Sequence, residues 1–308
     1  MRVAVVDLGT NTTRMLVADV DGRRVNELDR RTNVTRLGEG VDATGRLADG
    51  AIERVSKVLA DYRAAIDGLA PDRTVALATS AVRDADNGDD FRRLLHDRFA
   101  LDVRIIPGDE EARLTFLGAT AARRPGEGPL VVIDIGGGST EFVVGHAGDN
   151  PTFRVSTQAG SVRQTERHLH EDPPSREELE ALESAVRETI AAAIPADVRS
   201  SVVSAIAVAG TATSLAAIDQ HLEPYDPDRV DGYALTLEAC ERMLGELAGV
   251  PLGERRRVPG LHPDRAPTIV AGAVILVESI RLFGLDAAET SEADILHGAA
   301  IDAAWQPK

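Results

Sequence analysis

Alternating apolar and polar positions predict two β-hairpins in distant parts of the chain. The apolar run at residues 3–6 leads into the polar stretch 7–14, and the run at 130–133 leads into the polar stretch 134–141. Apolar runs on both sides of a polar turn that contains glycine are typical of hairpins. Both turns follow the spacing Asp-x-Gly-x-x-(Ser/Thr)-Thr, which indicates that one structural unit occurs twice.

The elements around the hairpins alternate between strand and helix. Apolar residues at helical spacing over 52–69 predict a long amphipathic helix. Ser175 and Glu178 have the spacing of a capping box at one helix start, and Ser291 and Asp294 have it at another. The order of elements predicts an α/β fold of two mixed sheets flanked by helices. The remaining predicted strands lie at 24–28, 74–78, 103–106, 152–156 and 204–209, and the remaining helices at 89–99, 110–122, 161–169, 175–194, 211–221, 236–247, 267–283 and 292–305.

Chain length and a stretch rich in helix and strand breakers predict two domains. The 308 residues correspond to two domains of roughly 150 residues each. Residues 123–129 read Arg-Arg-Pro-Gly-Glu-Gly-Pro, which is typical of a connection between elements. We therefore expect one domain over residues 1–123 and a second over residues 124–291.

The charge of the chain narrows the classes of ligand. With 34 basic and 50 acidic residues, the net charge is −16. This charge argues against non-specific binding to nucleic acid or to an anionic membrane, so an anionic ligand would need a local site. Only two of the basic residues are lysines, and arginine suits forked contacts with phosphate or carboxylate.

Cysteine content and hydropathy indicate a cytoplasmic protein. The single cysteine, Cys240, excludes an intramolecular disulfide and a cysteine-based zinc site, and we expect it to be buried. No targeting segment is apparent at the start of the chain. The longest apolar stretch, 269–277, is far shorter than the roughly 20 residues of a membrane span.

The turn of the second hairpin predicts a phosphate site. Successive glycines let main-chain N–H groups converge on an anion, because no Cβ blocks its approach. Asp134 and Glu141 flank the turn, so both carboxylates can share a hydrated Mg²⁺. The alternative explanation for the three glycines is a tight hairpin that needs glycine at left-handed positions. The second copy of the pattern, at residues 7–14, favours a phosphate site over this alternative. The predicted phosphate ligands are Gly136, Gly137, Gly138, Ser139 and Thr140.

Further motifs offer groups for the same chemistry. Arg83 follows a predicted strand, where ligands of α/β sheets bind, although a lone arginine is more often a surface ion-pair partner. Glu110 and Glu111 lie in the first turn of a predicted helix. There a carboxylate either complements the helix dipole or orients and deprotonates a water, and spacing does not separate the two residues. The first hairpin supplies Asp7, Gly9, Thr10, Asn11, Thr12, Thr13 and Arg14.

Other charged groups are weaker candidates. The seven histidines are expected to be exposed, and His168 and His170 point to opposite sides of a helix rather than to one metal. The arginine run at 255–257 is typical of a solvated surface. An alternative is that this run and Arg265 line the entrance for a polyanion.

Together these motifs resemble the exopolyphosphatase/guanosine pentaphosphate phosphohydrolase (Ppx/GppA) family, within the superfamily of actin-like proteins, sugar kinases and heat-shock ATPases. The resemblance extends over nearly the whole chain. The turn Gly-Gly-Gly-Ser-Thr-Glu with the upstream Glu-Glu-Ala-Arg is specific, whereas Ala-Gly-Thr at 209–211 is weak. The matching stretches are 7–14, 78–83, 108–113, 134–141, 209–213, 259–266 and 291–298.

The resemblance implies a fold and a set of roles. It implies two actin-like (ribonuclease H-like) domains with the active site in the cleft, and a last helix, 292–308, that packs on the first domain. The cofactor it implies is Mg²⁺ or Mn²⁺. Weaker candidates for the site are Gly210, Thr211 and Arg265. The implied roles are general base for Glu111, a structural role for Glu110, metal ligands for Asp134 and Glu141, and a phosphate contact for Arg83.

The implied activity is hydrolysis of the terminal phosphoanhydride of inorganic polyphosphate. Short chains are favoured, because longer family members carry helical domains for which this chain has no room. Three alternatives stay open. They are hydrolysis of the 5′ γ-phosphate of guanosine pentaphosphate (pppGpp), kinase or ATPase activity with residues 209–213 over the adenosine of ATP, and a non-catalytic sensor of alarmone or polyphosphate. A homodimer is a further expectation.

Overall fold

The computed structural model describes residues 1–124, 126 and 128–306, which form two compact units. Unit 1 comprises Met1–Arg123 with Ala293–Lys308, and unit 2 comprises Arg124–Glu292. Outside the described residues lie Pro125 and Glu127 of the predicted connection and residues 307–308 of the predicted last helix.

Strands and helices alternate through both units. In unit 1 they are β1 (Arg2–Leu8), β2 (Thr12–Asp21), β3 (Arg24–Val34), α1 (Val41–Thr44), α2 (Asp49–Leu69), β4 (Arg73–Ala78), α3 (Ser80–Arg83), α4 (Gly88–Phe99), β5 (Val103–Ile105) and α5 (Gly108–Thr120). In unit 2 they are β6 (Leu130–Ile135), β7 (Thr140–Gly145), β8 (Phe153–Thr157), α6 (Ser161–His168), α7 (Arg176–Ala193), α8 (Ala196–Ser201), β9 (Ser204–Val208), α9 (Ala209–Asp219), α10 (Pro227–Val230), β10 (Ala234–Thr236), α11 (Leu237–Ala248), α12 (Leu252–Arg255), α13 (Ile269–Phe283) and β11 (Ala287–Thr290). The chain then returns to unit 1 with α14 (Ile295–Trp305).

The two sheets share one topology, as the repeated hairpins predict. The sheet of unit 1 has the order β3-β2-β1-β4-β5, and of these strands β2 alone runs opposite to the rest. In unit 2, the strands β8-β7-β6-β9-β11 follow the same order and directions, and β10 adds an antiparallel edge strand. The predicted α/β class with two mixed sheets flanked by helices is therefore confirmed.

Apolar side chains cover both faces of the sheet in unit 1. Ala4 and Val6 of β1 belong to the core shared with α2 and α4, whereas Val3 and Val5 belong to the core shared with α5 and α14. Successive side chains of a strand point to opposite faces, so one apolar run serves both cores. This packing fixes the carboxyl ends of the parallel strands β1, β4 and β5 at one edge of the sheet.

The last helix begins later than predicted. Asp294, not Ser291, is its N-cap, and the carboxylate of Asp294 accepts the N–H of Leu296 (3.0 Å). His297 completes the capping box. Ser291 is still held by the sheet, since its N–H donates to the carbonyl of Ala207 in β9 (3.1 Å).

Other boundaries follow the predictions more closely. The capping box of Ser175 and Glu178 at the start of α7 is confirmed, and β3 extends beyond the predicted 24–28. Cys240 is buried as expected, and burial raises the pKa of its thiol to about 12. Within the described chain, no helix combines the length and the apolar composition needed to cross a bilayer. The elements without a prediction are α1, α3, α8, α10, α12, β10 and β11, each six residues or shorter.

Two glycines allow α5 and α14 to cross closely. A Cβ on Gly118 would lie 1.9 Å from the carbonyl oxygen of Asp294, and a Cβ on Gly298 would lie 1.8 Å from that of Leu114. The two backbones are therefore in direct contact, which a side chain at either glycine would prevent. The crossing attaches the end of the chain to unit 1.

We expect Gly298→Ala to destabilise the protein by about 1–3 kcal/mol, because the added methyl group overpacks this crossing. Gly68→Ala in α2 is the matched control, since nothing lies within 4 Å of a Cβ at that position and alanine forms helix better than glycine. Denaturant unfolding of both variants measures the free energies. Equal stability of the two variants would contradict the crossing.

Candidate active site

The Gly-rich turn of unit 2 has its carbonyl groups tied to the start of α6. The carbonyl oxygens of Gly136 and Gly137 accept main-chain N–H groups of α6 (2.9 and 2.8 Å). The carbonyl oxygen of Gly138 accepts Nε–H of Arg163 (2.8 Å). In a trans peptide the C=O and the following N–H point in opposite directions. The N–H groups of residues 137–139 therefore face away from α6, as an anion-binding turn requires.

The turn of unit 1 is built in the same way. The carbonyl oxygens of Thr10 and Asn11 accept N–H groups from residues 35–38, at distances of 2.8, 2.9 and 3.0 Å. By the same geometry, the N–H groups of Asn11 and Thr12 face away from residues 35–38. Each unit therefore presents main-chain donors where its first strand ends.

Both turns close with one hydrogen bond of the same kind. Gly9 N–H donates to the carbonyl of Thr12 (2.9 Å), and Gly136 N–H donates to that of Ser139 (3.0 Å). The glycines that the described chain places in the left-handed region lie outside these two turns. The glycines of the two turns therefore do not adopt left-handed backbone, which was the alternative explanation for their presence.

Two glycines outside the turns, which the sequence patterns did not indicate, permit these contacts. A Cβ on Gly160 would lie 2.2 Å from the carbonyl carbon of Gly138, and a Cβ on Gly38 would lie 2.3 Å from Cγ2 of Thr10. Gly160 has φ −94°, which any residue adopts, so the requirement for glycine is steric. Both glycines follow shortly after the third strand of their sheet, and that shared position is the signal that could have found them.

Asp134 and Glu141 lie directly opposite each other on β6 and β7, so their side chains share one face of the sheet. Both are buried, and Ser156 Oγ donates to Oε1 of Glu141 (2.6 Å). Two adjacent buried carboxylates attract a cation. Among the residues described, no cluster of three or more His, Cys, Asp or Glu is placed to hold a metal ion. Mg²⁺ binds one or two carboxylates and keeps several waters, so Asp134 and Glu141 are residues that could hold it.

The corresponding pair in unit 1 is chemically different. Here β1 and β2 place Asp7 opposite Arg14, and Nε and Nη2 of Arg14 donate to Oδ2 of Asp7 (2.9 and 2.7 Å). Nη1 of Arg14 donates to Asp294. Burial raises the pKa of Asp7, and the charge and hydrogen bonds of Arg14 oppose that rise. The aspartate at the end of the first strand thus lies opposite an arginine in unit 1 and opposite a glutamate in unit 2.

Arg83 and Glu111 meet at the carboxyl edge of the sheet in unit 1. The helix α3 follows β4 and α5 follows β5, so both side chains start from the edge where β1 enters its turn. Arg83 Nη1 donates to Oε2 of Glu111 (3.2 Å) and to the carbonyl of Ile106 (2.9 Å). The side chain of Glu111 is 11% exposed. A carboxylate held by a guanidinium at this edge fits a base beside a phosphate contact.

Glu110 has a different environment. Both of its carboxylate oxygens accept hydrogen bonds from Arg113 (2.8 Å each), which also donates to Asp302 of α14 (2.8 Å). Glu110 therefore contributes to the attachment of α14 to α5. The geometry separates two glutamates that spacing alone left equivalent, and the role of Glu111 as base stays a prediction.

Two predicted phosphate ligands have their hydroxyl groups engaged within the protein. Thr140 Oγ1 donates to the carbonyl of Ala159 (2.5 Å), and Thr13 Oγ1 lies 2.9 Å from Oγ1 of Thr35. Both threonines are fully buried. Their hydroxyls connect the bases of the two turns to neighbouring segments, and contact with phosphate stays a prediction for them.

The weaker candidates Gly210, Thr211 and Arg265 lie together at the start of α9. A Cβ on Gly210 would lie 1.4 Å from Nη1 of Arg265, so the guanidinium packs directly on this glycine. Thr211 packs against Gly272 in the same manner. Because β9 runs parallel to β6, α9 begins at the sheet edge that carries the Gly-rich turn.

Two expectations about charged residues are wrong. Arg255 is buried, not solvated, because its guanidinium donates to the carbonyl oxygens of Leu247 (2.7 Å) and Val250 (2.9 Å). His297 is buried as well, and its Nε2 lies 2.8 Å from Oε1 of Glu27. A polar side chain can be buried at little cost in free energy when its hydrogen-bonding groups have partners.

Comparison with known proteins gives a consistent picture. Residues 16–304 match the Ppx/GppA phosphatase family. Exopolyphosphatase 2 of Mycobacterium tuberculosis (strain CDC 1551 / Oshkosh) is 37% identical, and the match covers 98% of each chain. The crystal structure of an exopolyphosphatase-like protein has 33% identity and a TM-score of 0.92, over 98% of this chain and 97% of that one. The Ppx/GppA family member of Aquifex aeolicus has 30% identity and a TM-score of 0.83, over 99% and 97%.

The two sheets of shared topology and the family match over residues 16–304 are those of a phosphoanhydride hydrolase. The chain belongs to the Ppx/GppA phosphatase family. The family resemblance, the fold class and the enzyme class predicted from the sequence are thereby confirmed.

We expect Gly160→Ala to weaken binding of inorganic phosphate by about tenfold or more, because displacement of the turn removes charge-assisted hydrogen bonds. Gly245→Ala in α11 is the control, since a Cβ there meets nothing within 4 Å. Isothermal titration calorimetry measures both affinities. Unchanged affinity in the folded Gly160 variant would contradict the anion-binding role of this turn.

Proposed function

We propose that this chain is an exopolyphosphatase that releases orthophosphate from the ends of short inorganic polyphosphate chains, with Mg²⁺ or Mn²⁺ as cofactor. The observation that supports polyphosphate as the substrate is the 37% identity with Exopolyphosphatase 2 over nearly the full length of both chains. The net charge of −16 favours short chains, which a local site can hold against repulsion from an acidic surface. The homodimer and the cytoplasmic location stay predictions.

In this proposal a water attacks the terminal phosphorus atom while the bond from phosphorus to the bridging oxygen breaks. Glu111 accepts the proton of the water as the new oxygen–phosphorus bond forms. The bridging oxygen leaves with the electron pair on the shortened chain. Arg83, which is 3.2 Å from Glu111, donates to an oxygen of the transferred group. Most of the rate enhancement in such transfers comes from positioning and charge stabilisation.

The unit 2 turn offers main-chain donors for the oxygens of a phosphoryl group. The N–H groups of residues 137–139 donate to phosphoryl oxygens, with their direction set by the contacts of the turn with α6. Asp134 and Glu141 would hold the divalent cation, and Ser156 orients Glu141 (2.6 Å). A bound cation supplies neutralisation of the phosphate charge.

A substrate panel tests the proposed function. Phosphate release by the wild type is measured from short polyphosphate, long polyphosphate, pppGpp and ATP, each with Mg²⁺ and with EDTA. We expect the highest kcat/KM for short polyphosphate, and loss of activity in EDTA because the chelator removes the divalent cation that neutralises the phosphate charge. A higher value for pppGpp or for ATP would replace the proposed substrate. Binding without release from any substrate would indicate a sensor.

We expect Glu111→Gln to lower turnover by about 10²- to 10⁴-fold, because the amide cannot accept the proton of the water. Affinity for polyphosphate is expected to persist, since the turns and Arg83 are unchanged. Steady-state phosphate release and calorimetric titration measure the two quantities.

Glu110→Gln is the matched control for this variant. It removes the negative charge opposite Arg113 and should lower stability while most of the turnover is retained. The reverse pattern, with turnover lost in the Glu110 variant and kept in the Glu111 variant, would assign the base to Glu110.

A further inference from the structure

The carboxylate of Asp7 is held on one side only. Arg14 directs both Nε and Nη2 to the same oxygen, Oδ2 (2.9 and 2.7 Å). The other oxygen, Oδ1, is buried and has no hydrogen-bond partner in the described structure. A buried acceptor without a partner costs free energy unless a ligand supplies the donor. Asp7 lies two residues before Gly9, so Oδ1 belongs to the strand end that leads into the unit 1 turn.

Arg14 is itself anchored by the last helix. Its Nη1 donates to Oδ2 of Asp294, while Oδ1 of Asp294 accepts the N–H of Leu296 as the helix cap (3.0 Å). The two carboxylate oxygens of Asp294 therefore have different partners, Arg14 for Oδ2 and Leu296 for Oδ1. The N–H of Asp294 points to Nδ1 of His297 (3.5 Å), whose Nε2 reaches Glu27. Contacts with Leu296 and His297 thus hold Asp294 in place in addition to its contact with Arg14.

The charges support a fixed arrangement. Burial acts to raise the pKa of Asp294, but the charge of Arg14 and the hydrogen bond from Leu296 leave it below its ordinary value. The side chains of Asp7 and Asp294 are each 3% exposed, and that of Arg14 is 14% exposed. Buried ion pairs are weak sources of stability, since desolvation offsets much of the attraction. Stability alone therefore does not account for a buried guanidinium between two carboxylates.

We propose that Asp294 is a positioning residue for the reaction: it holds Arg14 so that Arg14 fixes the carboxylate of Asp7 with Oδ1 directed to a ligand beside the unit 1 turn. The inference rests on the proposed function, because it needs a phosphate substrate at this turn. It gives the last helix a part in turnover in addition to its packing on α5.

A double-mutant cycle tests the proposal. The parameters kcat and KM are measured for the wild type, Asp294→Asn, Arg14→Ala and the double variant. Asparagine is a good N-cap, so Asp294→Asn keeps the helix start and removes the negative charge beside Arg14. We expect kcat of Asp294→Asn to fall about ten- to a hundredfold with KM unchanged, as a misplaced group costs rate. The double variant should be no slower than Arg14→Ala, because Asp294 acts through Arg14.

Asp302→Asn is the matched control. It lies on the same helix and breaks an ion pair of the same kind, that of Asp302 with Arg113 (2.8 Å). It should lower the unfolding temperature and leave kcat unchanged. Asp294→Ser, which also keeps a cap, replaces Asp294→Asn if that variant does not fold. A kcat of the Asp294 variant within about twofold of the Asp302 variant, or additive losses in the double variant, would overturn the proposal.

The same measurements distinguish failure of the proposed function from failure of the role proposed for Asp294. The cycle uses whichever substrate of the panel the wild type hydrolyses fastest. If that substrate is pppGpp or ATP, the polyphosphate assignment falls and the comparison of variants still decides the role of Asp294. A wild type that hydrolyses none of them overturns both proposals.

Discussion

A peptide group that gives its carbonyl to one neighbour presents its N–H to the opposite side, and both turns of this protein depend on that constraint. In unit 2 the start of α6 takes the carbonyl groups of the Gly-rich turn, and in unit 1 residues 35–38 do the same. The direction of the main-chain donors is therefore set by hydrogen bonds on the far side of the turn. Gly38 and Gly160 permit those bonds, because a Cβ at either position would occupy the space of the turn itself.

The repeat uses one backbone arrangement for two kinds of chemistry. The residue opposite the strand-end aspartate is Arg14 in unit 1 and Glu141 in unit 2. With the arginine, the aspartate becomes part of a buried ion-pair network in which Arg14 binds one of its two oxygens. With the glutamate, the same register places two acidic side chains opposite each other. A single position in the hairpin thus decides whether the aspartate at the strand end lies opposite a guanidinium or a second carboxylate.

The sequence alone predicted the elements whose signals are local. Apolar periodicity gave the hairpins, the long helix α2 and the alternation of strands and helices, and the repeated Asp-x-Gly pattern gave the duplication. Features that depend on distant partners were out of reach. Arg14 and Asp294 are 280 positions apart. The partners of Arg255 are only eight and five positions away, but they are main-chain carbonyl groups, which have no signature in the sequence. The start of the last helix was misplaced because the hydrogen bond of Ser291 to the sheet is a long-range contact.

The return of α14 to unit 1 has a consequence for the order in which the protein is made. Unit 1 begins at the first residue but receives Asp294 and Gly298 only after all of unit 2 has been synthesised. Unit 2 is continuous in sequence and can complete its core first, although domains nearer the N-terminus generally fold earlier during synthesis. A ribosome that stalls inside unit 2 therefore releases a chain whose first sheet lacks the helix that covers Val3 and Val5. Such a fragment exposes apolar surface and is prone to aggregate, because the helix that covers this core comes last in the sequence.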